Sequence, residues 1–161
     1  MKLRIKTLWK VPVYCIIASW ISFYVTVYLG GFFFAEQAVD AEGVIHLSAD
    51  PVRSAVFHGV LFLMILFTGG LWAFRSMTKK EIAVSATIMC VIYLLIDLVQ
   101  IMTPYFSTSL IFAYIQNWTS TPASILFSLT DNLPASAILS SFAPLLFIPF
   151  GKKTAKGDDA A

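Results

Sequence analysis

Ile82–Thr103 reads IAVSATIMCVIYLLIDLVQIMT, a run whose only charged residue is Asp97. A helix of about 20 apolar residues crosses a hydrocarbon core about 30 Å thick, so this stretch is long enough to span a bilayer. Val11–Phe34, Ser54–Phe74 and Leu133–Phe150 are comparable and carry no Asp, Glu, Lys or Arg at all. In lipid the backbone must bond to itself, which leaves helices and closed barrels, and these runs lack the period-two alternation of barrel strands. The expected fold class is all-α integral membrane: a four-transmembrane-helix bundle with short interfacial helices between the third and fourth spans. Helices are expected at about 11–34, 53–74, 82–103 and 132–150, within one membrane domain over residues 1–161.

Composition points the same way. Hydrophobic residues make up 58% of the chain and charged residues 12%, about half the charged share of an ordinary soluble domain. The net charge of +2 is less informative than its distribution. Lys2, Arg4, Lys6 and Lys10 precede the first run, Arg75, Lys79 and Lys80 separate the second from the third, and Lys152, Lys153 and Lys156 follow the last. The opposite loop, 35–52, holds Glu36, Asp40, Glu42 and Asp50, with Arg53 the lone cation at its edge. By the positive-inside rule both termini and the 151–161 tail lie in the cytoplasm and the 35–52 loop lies outside. The expected location is a plasma membrane of the bacterial inner-membrane type, crossed four times. Val11–Phe34 is far longer than the apolar region of a cleaved signal, so an uncleaved first helix is expected.

Tyr105–Thr130 has no charged residue but contains Gln116, Asn117, Thr119, Ser120, Thr121 and Pro122. A fifth crossing would strand those groups in lipid. The expectation is two segments along the outer interface, about Tyr105–Trp118 and Ala123–Thr130, with a re-entrant pair as the alternative. Tyr105, Tyr114 and Trp118 suit a headgroup layer. Asn117-Trp118-Thr119 also matches a glycosylation sequon. In the outer loop Gly43 marks a turn consistent with a short β-hairpin, whose second arm would carry His46.

Small residues form stripes. Cys15, Ser19, Ser22 and Thr26 step by four, three and four, and Ser136, Ser140 and Ala143 step by four and three on the last helix. Such spacing lets membrane helices approach closely, and Gly59, Gly69 and Gly70 offer the same on the second. Pro144 and Pro149 are expected to bend or fray the end of the last helix.

Polar residues inside the apolar runs are the candidate site. On the third helix Tyr93, Asp97, Gln100 and Pro104 form one stripe, and His58 sits on the second at a matching depth. A carboxylate in lipid is costly and should face the bundle and find a partner. His58 and Asp97 are expected to face each other, as a titratable site open to the outside or as a clasp between helices. Tyr24, Tyr28, Arg53, Asp131 and Asn132 are possible contributors, the last two as caps of the fourth helix.

The chain lacks the HExxH, GxSxG and CxxC patterns, clustered metal-ligand spacing and glycine-rich phosphate loops that carry common chemistries. No catalytic residue, metal or cofactor is expected. A disulfide between Cys15 and Cys90 is not expected either, because both lie near the cytoplasmic side. The basic residues are not interleaved with aromatics on a soluble face, which argues against nucleic acid as a partner. The expected partners are the lipid bilayer and a membrane protein or a second copy of the chain. The expected function is that of a small accessory or interaction subunit without catalytic activity. The alternative is a small proton-linked transporter or channel subunit using His58, Asp97 and Gln100.

Overall fold

A computed structural model describes residues 7–39, 43, 45–102 and 114–152. Most of these are helical. The element order is α1 (Lys10–Phe34), β1 (Ala35–Val39), β2 (Ile45–Ala49), α2 (Pro51–Thr68) continued by a π-turn (Gly69–Ala73), and α3 (Lys79–Met102). A 3₁₀ turn (Asn117–Thr119), α4 (Ser120–Thr130), α5 (Leu133–Ser140) and a 3₁₀ stretch (Ala143–Phe150) follow. Lys10–Phe34, Pro51–Ala73, Lys79–Met102 and Leu133–Phe150 are long and apolar enough to cross a membrane. Only 17% to 39% of each apolar stretch is buried inside the protein, which suggests a multi-pass membrane protein whose outer faces meet lipid.

The element ends follow from local chemistry. Asp50 caps α2, its carboxylate accepting from the backbone N–H groups of Val52 at 2.8 Å and Arg53 at 3.1 Å. Pro51 at the first helical position needs no donor there. Thr78 and Glu81 form a capping box at the start of α3, with Thr78 N donating to Glu81 Oε2 at 2.9 Å and Glu81 N to Thr78 Oγ1 at 3.3 Å. Asn132 caps α5 through Ala135 N, as expected. Asp131 does something else: at φ 50° it takes the left-handed turn that ends α4. The expected hairpin is present, β1 pairing antiparallel with β2 from Ala35 opposite Ala49 to Val39 opposite Ile45, with Gly43 at φ 81°.

The bundle has two ends, one at the hairpin and one where the Lys-rich segments meet. At the basic end the Ser85 hydroxyl donates to Leu8 O, and Val11 N donates to the Ser85 oxygen. Lys152 N donates to Met77 O at 3.0 Å, tying the last turn to the α2–α3 loop. The core above it joins Val11, Cys15, Phe74, Met77, Ile82, Met89 and Phe147, all fully buried. Gly69 is part of this packing, since a Cβ there would lie 2.6 Å from Phe147 and 2.8 Å from Tyr14. Gly70 likewise abuts the Phe150 ring, whereas Gly59 borders open space and mediates no approach. Pro144 and Pro149 lie in the 3₁₀ stretch, which replaces an α-helical end for the last span. Cys15 and Cys90 are buried free thiols.

Candidate functional site

The segment 114–130 is the main departure from expectation. Trp118 does not lie at an outer interface but is 1% exposed in the middle of the bundle. Its ring stacks on Phe62 at 5.6 Å and Phe147 at 5.7 Å, and its Nε1 donates to the Tyr93 hydroxyl at 2.8 Å. Phe62 lies eleven residues into α2, about 16 Å from its hairpin end at helical rise. From Trp118, α4 climbs back beside α2, where Thr121 donates to His58 O at 3.1 Å. The 114–130 segment therefore begins inside the bundle and runs back toward the hairpin end, which places its polar start, the tip, in the protein and not along an outer interface. Residues 105–113, which include Tyr105, lie outside the described residues. Tyr114 packs against α1, its ring 4.6 Å from Phe23 and 6.1 Å from Trp20.

The physical reason is in the bonds of the tip. Ser19 donates to Ile115 O at 2.7 Å, and Asn117 Nδ2 donates to Ser22 Oγ at 3.1 Å. Gln116 Nε2 donates to Tyr93 O at 3.3 Å and to Asp97 Oδ1 at 3.0 Å. Polar groups that lipid would leave unpaired are satisfied by the small-polar stripe of α1 and the polar stripe of α3. Asn117 and Thr119 of the sequon are drawn into this packing, Thr119 fully buried and Asn117 partly.

Asp97 is the centre of the cluster and is 4% exposed. Its second oxygen accepts from the Ser141 hydroxyl at the turn after α5. One carboxyl group thus joins α3, the tip and the last span. His58 is not its partner. The His58 ring takes up other groups: Nδ1 meets Ser54 O at 2.8 Å, and Nε2 lies 3.5 Å from Thr26 Oγ1. The matched depth of the two residues is thus not accompanied by a shared face; His58 turns to α1 and its own preceding turn.

The remaining candidates separate. Tyr93 is fully buried and is joined to Asp97 through Gln116, which donates to both, and to Trp118 through its hydroxyl. Gln100 is half-buried, one turn nearer the hairpin on α3. Tyr24 and Tyr28 stack on each other at 6.1 Å on the exposed face of α1, away from the cluster. Arg53 pairs with Glu36 at 3.5 Å and Asp50 at 3.3 Å at the hairpin end. Asn132 and Asp131 shape the α4–α5 turn. Gln116, Trp118 and Ser141 are cluster members not singled out from the sequence as a site, although the polar run around Gln116 was the signal.

A cavity of about 400 Å³ opens between α2 and α4, lined by Ser54, His58, Ser120, Thr121 and Ser124 with Pro51 at its rim. Among the described residues, no three or more His, Cys, Asp or Glu side chains converge as metal ligands would. Every buried side-chain nitrogen or oxygen among the described residues has a hydrogen-bond partner. The Asp97 cluster is a set of mutually satisfied hydrogen bonds, and the His58 cavity is a mostly apolar recess with hydroxyls on its wall. Comparison with known protein families, curated proteins and solved structures finds no match.

Proposed function

We propose that this chain is a multi-pass protein of the plasma membrane, of bacterial inner-membrane type, with both termini in the cytoplasm, and that it acts as a non-enzymatic accessory or interaction subunit. The observation that carries the reading is the partnering of Asp97. An intramembrane carboxyl group is by default a candidate for proton or ion handling. Here both of its oxygens take donors from the same chain, Gln116 and Ser141, so its bonding serves to lock the bundle. Orientation rests on the sorting of Lys and Arg to one end.

A partner surface is available on α3. Val84, Ile88, Val91, Leu95, Leu98 and Met102 step alternately by four and three, and all but the half-buried Ile88 are exposed. That seam runs from Val84 to Met102, about 27 Å of helix, which is close to the full hydrocarbon thickness and suits a helix of a membrane partner or of a second copy. The test is purification in mild detergent followed by native mass spectrometry. A defined hetero- or homo-complex that dissociates in a Val91→Trp, Leu95→Trp variant is expected. A monomer that gains no partner under these conditions overturns the interaction reading.

The His58 cavity favours a second reading, a small proton-linked transporter or channel subunit. In that case liposomes containing the protein would show pH-dependent solute flux, lost in His58→Gln while the fold persists.

A further inference from the structure

We infer that the groove between α1 and α2 holds a phospholipid of the hairpin-side leaflet, with its acyl chains on the helices and a primary-amine zwitterionic headgroup at Arg53. The groove has a volume of about 690 Å³. Its walls are apolar, with Ile21, Leu29 and Phe33 from α1 and Val56, Val60 and Met64 from α2, each 45% to 62% exposed. Because α1 and α2 run antiparallel, Phe33 and Arg53 mark its hairpin end, while Ile21 and Met64 mark its inner end.

The length of the groove matches one leaflet. From Ile21 to Phe33 the groove is about 18 Å long at helical rise. A single leaflet contributes half of a hydrocarbon core about 30 Å thick, or about 15 Å. The groove therefore starts at the membrane edge and stops near the midplane, the reach of acyl chains. Exposed apolar residues continue beyond it on both helices, Val13 and Ile17 on α1 and Phe67 and Leu71 on the second span, so the charge at the mouth is what selects a lipid.

Charge decides the headgroup. Arg53 sits at the mouth, with Nη1 3.5 Å from Glu36 and Nε 3.3 Å from Asp50, and its side chain is 63% exposed. A guanidinium has five N–H donors, so these two pairings leave others for a phosphate. The flanking carboxylates disfavour a lipid of net negative charge but accept from an ammonium. An ethanolamine headgroup supplies phosphate and ammonium together. A choline headgroup has no N–H to give the carboxylates.

The inference rests on the membrane reading above, and one experiment separates the two. The full chain is reconstituted into vesicles, floated on a density gradient, then extracted in mild detergent and examined by native mass spectrometry. Phosphatidylethanolamine, phosphatidylcholine and phosphatidylglycerol of identical chains are supplied in equal amounts. Phosphatidylethanolamine is expected to be retained at least several-fold over the other two. Arg53→Gln should abolish that preference with helix content by circular dichroism unchanged, and Val60→Trp should lower retention of all three. Flotation with equal retention, or a preference that survives Arg53→Gln, overturns the lipid site alone. A chain that fails to float overturns the membrane reading itself.

Discussion

A carboxyl group buried between helices must be met by donors, and at Asp97 two side chains from distant parts of the chain supply them. Removing it takes the shared acceptor from Gln116, which keeps its bond to Tyr93 O, and from Ser141, which keeps Ala137 O in reach, at a cost of about 0.5–1.5 kcal/mol for each bond lost. Asp97→Ala is therefore expected to lower the melting temperature in detergent more than either Gln116→Ala or Ser141→Ala. A double-mutant cycle of Asp97→Ala with Gln116→Ala should give a coupling of about 0.5–2 kcal/mol. Zero coupling would mean that the bond does not hold the tip. The same logic applies to Trp118 and Tyr93, whose hydrogen bond lies in the dry centre of the bundle. Tyr93→Phe leaves the indole N–H unpaired and should destabilise measurably in the same assay. The presence of a polar stripe on α3 was readable from Tyr93, Asp97 and Gln100. Their partners were not, because residues in contact here are separated by 19 to 44 positions and nothing local links them.

At the scale of an element, the glycines of the second span give a controlled comparison. Gly69 faces Phe147 and Tyr14 at distances a methyl group cannot tolerate, while Gly59 faces open space. Gly69→Ala is expected to cost about 1–3 kcal/mol through overpacking. Gly59→Ala should be neutral or gain up to about 1 kcal/mol from helix propensity. Thermal unfolding of the two variants side by side checks the pair; similar melting temperatures would show that Gly69 is not a close-packing point. Sequence spacing offered all three glycines as equivalent, and only the facing side chains distinguish them. The start of α3 behaves differently. Its Thr78–Glu81 capping box is a local pattern, and Thr78→Ala should cost about 1 kcal/mol, as loss of an N-cap usually does.

The whole molecule is organised by the insertion of the 114–130 tip and by the sorting of charge. If the tip is held in the bundle, Cys substituted at Asn117 in a background without Cys15 and Cys90 should resist a membrane-impermeant maleimide, whereas Cys at Ser48 in the exposed hairpin should react from the outside. Rapid labelling at position 117 would return the segment to the interface. For orientation, a reporter active only outside the cytoplasm is expected to be silent after Ala161 and active when inserted near Glu42. Activity at both sites would require an odd number of crossings.

The four apolar helices, the sidedness of Lys and Arg, the hairpin at Gly43 and the Asn132 cap were all legible in the residues themselves. Each depends on a period, a length or a neighbour within a few positions. The described residues 114–119 lie in the bundle and not at the interface, the position expected when their polar groups are weighed against lipid. In the folded bundle they meet Ser19, Ser22, Tyr93 and Asp97 instead. The separation of His58 from Asp97 has the same origin. Depth along a helix follows from counting residues, but the rotation of one helix against another is set by packing. Only the tertiary structure decided that Asp97 turns to Gln116 and Ser141 while His58 turns to Ser54 and Thr26.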